Sequence, residues 1–240
     1  LAGTMVLSGI IAFYGTREIV FAGSNQPMSF AAFFRTFAST LRNRPFRIKL
    51  LSFAFLVFAW ALHQPLTLYV YRDWLAMEEH IPTIMTLFFL SMMLSLGIWG
   101  RLAGRIGKNR AFQFCLAWSV AILLLFPFMR ADMPYQWFYV FIVFIGLGAG
   151  GYALPASIVA DIIDYDELQT GQRREGAFFG FWTLIMKMMG ALAIAAVGFG
   201  LDAIGYQPNR QQTGATLVGL KILYGPVPAC FLLLSLLIFL

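Results

Sequence analysis

The chain has 240 residues, of which 60% are hydrophobic and only 12% are charged, and its mean hydropathy is +0.76. This composition excludes an ordinary soluble domain and indicates a membrane protein with several transmembrane helices. The formal net charge is +6, but the basic residues lie in loops between apolar segments, which favours a membrane topology over nucleic-acid binding.

Residues 1–14 are apolar but short, and we interpret them as the second half of a transmembrane helix whose start is missing. The sequence would then be a piece of a longer protein. Residues 15–47 form a basic loop with a predicted amphipathic helix, which could lie on the membrane surface or against the underside of the helix bundle. The apolar face of that helix consists of Phe30, Phe33, Phe34, Phe37 and Leu41.

Residues 48–240 predict a bundle of six transmembrane helices, because the apolar segments have the length that crosses a bilayer. The predicted spans are residues 48–71, 83–100, 111–129, 137–160, 176–201 and 222–240. Most of the 17 lysine and arginine residues fall in loops that share one side of this bundle. The positive-inside rule places that side in the cytoplasm, and we expect a multi-pass protein of a bacterial inner membrane.

No Ser/His/Asp or Cys/His arrangement and no metal-ligand spacing is present, so the sequence predicts no enzyme, no catalytic residue and no metal site. His63 lies in the first span, where it would serve either as a helix–helix hydrogen-bonding group or as a proton carrier. Cys115 and Cys230 lie in apolar segments and are interpreted as buried thiols.

The fourth span contains a cluster of glycines before a proline. Without a preceding strand the cluster is not a dinucleotide-binding fingerprint. It predicts instead a kinked or deformable helix that packs closely on its neighbours. The residues are Gly146, Gly148, Gly150, Gly151 and Pro155.

The fifth span, residues 176–201, carries one charge, Lys187. At 1.5 Å per residue this lysine lies roughly 16 Å into the helix, near the middle of a hydrocarbon core about 30 Å thick. A cation at that depth costs at least about 2.5 kcal/mol. Its helix face also carries small residues, which favours helices or a watery cavity as neighbours over lipid. The small residues are Gly176, Gly180, Thr183, Gly190 and Gly198.

Two interpretations of Lys187 are open: a structural lysine paired with a buried acid, or a lysine that binds a substrate or its coupling ion. The six predicted spans contain no acid at membrane depth. A partner would therefore come from other helices, from a substrate or from a second copy of the chain.

Acidic and basic residues cluster after the fourth span, in the segment VADIIDYDELQTGQRREG. They are either a solvated set of surface charges, which would add little stability, or ion pairs that close the cytoplasmic mouth of a transporter. The charged residues are Asp161, Asp164, Asp166, Glu167, Arg173 and Arg174.

Two motifs resemble known families. GRLAGRIGKNR is similar to the short loop motif of the major facilitator superfamily, although Gly104 stands where the usual aspartate would be. VADIIDYDELQTGQRREGAFFGFWTLIMK resembles the signature of the melibiose-permease-like glycoside–pentoside–hexuronide:cation symporter family. The resemblance implies an all-α polytopic membrane protein, namely the six-helix C-terminal half of a major facilitator fold with a partial preceding helix.

The same resemblance implies the site. Lys187 matches the family's lysine near the shared sugar and cation site, and Thr183, one turn earlier, matches a residue of the sugar pocket. Trp182 and Met186 match neighbouring pocket positions, and Tyr152 stands where a tryptophan stacks on the sugar.

The family's cytoplasmic gate residues match Asp161, Asp164, Glu167 and Arg173. Its cation-binding aspartates belong to an N-terminal half that this sequence lacks, so we expect no cofactor and a coupling-cation site mainly in that missing partner half.

The expected function is Na⁺- or H⁺-coupled symport of a sugar or sugar-like solute across the lipid bilayer by alternating access. One alternative keeps the fold and carries a lysolipid or another amphiphile. The other is a membrane scaffold or receptor that transports nothing.

Overall fold

The computed structural model describes residues 2–15, 39–208 and 210–240, and these residues form helices and turns without a strand. The predicted amphipathic helix around Phe30–Leu41 lies mostly outside the described residues. Helix α1 (Ala2–Gly15) belongs to a unit of its own, residues 1–34. It has no charged residue, and its side chains at Phe13 and Tyr14 are exposed.

The second unit, residues 35–240, contains eight α-helices within the described ranges. They are α2 (Arg44–Tyr69), α3 (Ile81–Ile106), α4 (Lys108–Leu125), α5 (Tyr135–Ala149), α6 (Leu154–Thr170), α7 (Glu175–Ala203), α8 (Gly214–Tyr224) and α9 (Pro226–Phe239). A π-helical turn, Val70–Trp74, extends α2, and 3₁₀ turns stand at Glu78–His80, Phe126–Phe128 and Gly150–Ala153.

Six helical segments of the described chain are long and apolar enough to cross a membrane, which confirms the predicted bundle. They are Arg44–Trp74, Glu78–Ile106, Lys108–Phe128, Tyr135–Thr170, Glu175–Ala203 and Gly214–Phe239. The chain is an integral, multi-pass membrane protein.

The fourth and sixth segments are longer than the sequence predicted. The fourth continues beyond residue 160 to Thr170, and Asp166 in this extension is buried in an ion pair. The sixth begins at Gly214 rather than at residue 222 and includes Lys221. This lysine fits inside the helix because its ammonium donates to the Met129 carbonyl at 2.8 Å and lies over the Trp74 ring.

Helix α2 is the central element of the bundle, since α6, α7, α8 and α9 all pack against it. Small polar residues bring α2 and α9 close together: the Ser52 and Ser235 hydroxyls each donate to the other residue's carbonyl, at 2.8 and 2.7 Å. Further along α2, His63 Nδ1 lies 2.9 Å from the Tyr224 carbonyl. Because a carbonyl only accepts, Nδ1 carries the proton, which confirms the interpretation of His63 as a helix–helix hydrogen-bonding group.

The glycine cluster lets α5 pack directly against α3 and α4. A Cβ atom at Gly146 would collide with the Ser91 hydroxyl and stand 2.7 Å from the Phe88 carbonyl oxygen, and one at Gly150 would stand 2.8 Å from the Met92 carbonyl oxygen. The helix changes to a 3₁₀ turn at Gly150–Ala153. The prediction of close packing is therefore confirmed, and the regular α-helix is interrupted at the end of the glycine cluster.

The two cysteines differ in their surroundings. Cys115 is buried and donates to the Gly148 carbonyl, as expected. Cys230 is exposed, so its interpretation as a buried thiol was wrong. It lies on the side of α9 opposite the buried residues Ala229, Leu232 and Ser235.

We expect Gly146→Ala to lower the melting temperature of the purified full-length protein by several degrees, because the new Cβ meets a backbone carbonyl that cannot move aside. Overpacking of this kind costs about 1–3 kcal/mol. Gly104→Ala is the matched control, since a Cβ there has no atom of the described chain within 4 Å. Equal melting temperatures for the two variants would contradict the close-packing argument.

Candidate functional site

Helix α7 has one buried side and two exposed ones. Its buried residues face α2, and the Trp182 ring stacks on Phe53 with 3.4 Å between ring centroids. Large apolar side chains cover one exposed side, namely Leu184, Met188, Leu192 and Phe199. The other exposed side carries Thr183 and Lys187 together with the small residues of the helix and one large apolar side chain, Ile194. The two exposed sides therefore differ in chemistry.

Lys187 lies in the middle of this 29-residue helix and is exposed. Within the described ranges its ammonium makes no hydrogen bond or ion pair. Thr183 stands one helical turn away on the same face, at the spacing where side chains meet. A positive charge in the middle of a transmembrane helix is unfavourable without a partner. The ammonium of Lys187 is therefore free to bind an acidic or hydrogen-bond-accepting group from outside the described helices.

The other two predicted pocket residues of α7, Met186 and Trp182, differ in their exposure. Met186 is 44% exposed and stands one turn from Trp182, between the buried side and the Lys187 face. Trp182 is only 7% exposed, and Phe53 covers one face of its ring. The structure therefore places Thr183, Met186 and Lys187 at the surface of α7, whereas Trp182 fixes α7 against α2.

Tyr152 lies in the turn between α5 and α6 and is partly buried. Its hydroxyl donates to the Ser119 hydroxyl at 2.9 Å, and its ring meets Trp60 of α2 edge to face at 5.5 Å. The phenol oxygen is thus engaged within the bundle, and the ring is held in place by α2 and α4.

A small cavity of about 130 Å³ adjoins Trp60. Its walls are mainly apolar, with Met85, Phe88 and Met92 from α3, while α2 adds the polar side chains of Gln64 and Thr67. Trp60 and Gln64 were not among the predicted site residues. The available signal for Gln64 is a stripe along α2, where Val57, Ala61, Gln64 and Leu68 recur at helical spacing and are partly or fully exposed, and Trp60 stands one turn before Gln64.

The predicted gate residues lie at the basic end, which we define as the end of the bundle that carries Arg44, Lys108 and Arg174. Asp161 pairs with Lys108 at 2.6 Å. Arg173 pairs with Glu175 at 3.1 Å and with Glu167 at 3.6 Å, and Asp164 is exposed nearby. The hydrogen bonds that Arg173 donates to the Glu175 carboxylate, and the charges of Glu167, Glu175 and Asp164, raise the pKa of Arg173.

The most buried ion pair at this end joins two members of the predicted charged cluster that the family resemblance did not match to gate residues. Arg174 binds the Asp166 carboxylate through two nitrogens, with a shortest distance of 2.6 Å, and Asp166 is 4% exposed. Asn43, which caps α2, donates to the same carboxylate at 3.2 Å. Helical periodicity was the available signal, because Asp166 continues the buried stripe of Ile162 and Ile163, whereas Asp161 and Asp164 lie on the exposed side.

A second polar cluster joins the opposite end of α2 to the connection between α7 and α8. Arg72 forms a bidentate pair with Asp73, and the Tyr206 hydroxyl donates to the same carboxylate at 2.6 Å. Partial burial and this hydrogen bond raise the pKa of Tyr206 above its ordinary value. The cluster therefore joins the end of α2 to the end of α7.

A family model described as MFS/sugar transport protein matches residues 1–240. The chain belongs to this family. The match confirms the expected fold, the six-helix half of a major facilitator fold, and the resemblance to the cation symporters. The roles of individual site residues stay predictions.

The relatives of this MFS/sugar transport chain carry names that refer to different transported compounds or to none. It is 26% identical to the uncharacterized symporter YjmB of Bacillus subtilis, over 98% of this chain and 52% of that protein. It is 27% identical to the mouse sphingosine-1-phosphate transporter MFSD2B, over 87% of this chain and 42% of that protein. It is 33% identical to a putative sulfoquinovose importer of Salmonella typhimurium, over 49% of this chain and 24% of that protein. The chain thus spans about half, or less, of the curated relatives it matches.

We expect Arg174→Gln to destabilise the purified full-length protein strongly, since it leaves the Asp166 carboxylate buried without its partner. Removing one member of a buried ion pair costs about 3–5 kcal/mol. Arg173→Gln is the matched control, because exposed pairs contribute only about 0–1 kcal/mol. Thermal unfolding measures both changes, and the double variant Asp166→Asn with Arg174→Gln should recover part of the loss. Equal melting temperatures for Arg174→Gln and Arg173→Gln would refute this account.

Proposed function

We propose that this chain forms the C-terminal half of a secondary active transporter. The transporter moves a sugar or sugar-like solute together with Na⁺ or H⁺ by alternating access, with the solute bound near the middle of the membrane. The observation that carries the proposal is the ammonium of Lys187, which stands in the middle of an apolar helix without a partner in the described part of the chain.

The chemistry of the Lys187 face fits an oxygen-rich solute. An ammonium donates three hydrogen bonds and the Thr183 hydroxyl both donates and accepts, so the pair can bind hydroxyl groups or an anionic substituent. Met186 and the ring of Tyr152 would offer apolar contact to the carbon skeleton. Trp182 would not contact the solute but would hold α7 in place by stacking on Phe53 of α2.

An anionic sugar-like solute would suit Lys187 best, because it brings its own counter-charge into the hydrocarbon core. The relative named as a putative sulfoquinovose importer fits this solute class. A neutral sugar would leave the ammonium to be paired by an acid from the N-terminal half of the carrier. We place the coupling-cation site mainly in that half.

The second candidate is transport of a lysolipid or another amphiphile by the same fold. The relative named as a sphingosine-1-phosphate transporter aligns with 87% of this chain, and a phosphate would pair with Lys187 as well as a sulfonate would. A scaffold or receptor that transports nothing is the third candidate, and it predicts no accumulation of solute in vesicles.

We expect Lys187→Ala to abolish cation-driven uptake by the full-length protein in vesicles while expression persists. Lys187→Arg keeps the charge and should retain part of the uptake. Leu184→Ala, on the apolar exposed side of the same helix, is the control that should transport normally. Undiminished uptake by Lys187→Ala would contradict the proposed role of Lys187 in transport.

Competition distinguishes the solute classes in the same vesicles. Neutral sugars, sulfonated sugars and lysophospholipids are added in turn to a transported radiolabelled sugar. We expect sulfonated sugars to compete best, because they supply an anion and hydroxyl groups together. Inhibition by lysophospholipids alone would favour the amphiphile transporter.

A further inference from the structure

A second, larger cavity of about 690 Å³ opens at the basic end. It lies between the start of α2, the turn from α3 to α4 and the middle of α6. The charged residues in its walls are Lys49, Lys108, Arg110 and Asp161. It is separate from the Lys187 face and from the cavity beside Trp60.

Positive charge exceeds negative charge in this cavity. Asp161 is engaged by Lys108 at 2.6 Å. The Lys49 ammonium donates to the Phe239 carbonyl at 3.3 Å and lies over the Phe239 ring. Arg110 is exposed. Within the described ranges neither Lys49 nor Arg110 is paired with a carboxylate, so two positive charges remain for a ligand.

Two apolar walls lie deeper in the bundle than the Lys108–Asp161 pair, namely Ala103, one turn before the end of α3, and Ile158, one turn before Asp161 on α6. Ile106 and Ile162 are further apolar walls at the level of the charges. Lys49 and Lys108 stand near the starts of segments that are apolar and long enough to cross a membrane. The charges therefore lie at the level of lipid headgroups, next to a surface that suits an acyl chain.

We propose that this cavity binds an anionic phospholipid, with the phosphate between Lys49 and Arg110 and an acyl chain along Ala103 and Ile158. A soluble anion would use the two charges but not the apolar walls. The chain that precedes α2, residues 15–43, is unsuited as an occupant, because it has the same sign of charge as the cavity. The lipid site does not depend on the solute or on the proposed transport.

The test is titration of the purified full-length protein with fluorescent short-chain phosphatidylglycerol, with phosphatidylcholine and inorganic phosphate as competitors. The double variant Lys49→Gln with Arg110→Gln leaves the Lys108–Asp161 pair intact. We expect it to bind phosphatidylglycerol about tenfold more weakly, or worse, since each basic residue at a membrane surface contributes to the attraction. Phosphatidylcholine and millimolar phosphate should compete poorly.

The matched control is Arg101→Gln with Arg105→Gln, which removes the same charge from exposed positions just before the turn that do not line the cavity. Its affinity should stay within twofold of the parent. Equal losses in both double variants would mean attraction to surface charge in general and would overturn the site. Efficient competition by inorganic phosphate would overturn the lipid as ligand. If Lys49→Gln fails to fold, Arg110→Gln against Arg105→Gln gives the same comparison.

Discussion

The hydrocarbon core contains no water, so each polar group that enters it must find its partner inside the protein. Several side chains of the described helices meet this constraint by donating hydrogen bonds to carbonyls of neighbouring helices, whereas the buried hydroxyls of Tyr71 and Tyr224 have no partner in the described part of the chain. His63 binds Tyr224, Trp99 binds Leu147 at 2.7 Å, and Cys115 binds Gly148. Lys187 departs from the pattern, because its ammonium stands in the middle of an apolar helix and has no such partner in the described part of the chain. A partner for this charge would have to come from outside these helices.

The residues on the two exposed sides of α7 also indicate that the Lys187 side does not face lipid. A helix that contacted lipid on both sides would have no reason to keep large apolar side chains on one side and mainly small or polar ones on the other. Leu184, Met188 and Phe199 cover one side, whereas the Lys187 side carries one large apolar residue, Ile194, and glycines at which an added Cβ would meet no described atom. Glycines bring a packing advantage only where another helix approaches closely, as at Gly146 in α5 and at Gly150 in the turn that follows it. The unused glycines of α7 therefore suit a surface that meets other protein or a watery cavity.

Segment length and hydropathy were sufficient to predict the six spans, and a glycine cluster was sufficient to predict the close packing of α5. What the sequence could not supply was the side of a helix on which each polar residue lies. Asp161, Asp164 and Asp166 look alike in a linear cluster, yet only Asp166 is turned towards α2 and buried. Lys221 appeared to end a loop, because hydropathy cannot anticipate a carbonyl and an aromatic ring that accept its ammonium. Cys230 was misjudged for the same reason, since apolar neighbours in sequence do not show which side faces lipid.

The contacts of α2 and α7 bear on how this half could move. At the basic end, Asn43 before α2 and Arg174 before α7 bind the same Asp166 carboxylate. At the opposite end, Arg72 and Asp73 of the π-helical turn that extends α2 bind Tyr206, which follows α7. Between these clusters Trp182 stacks on Phe53. A helix held at both ends and in the middle cannot tilt alone without breaking a buried ion pair. Access to Lys187 would therefore change by rotation of α2 and α7 as one body, which is the motion that alternating access requires of a half-carrier.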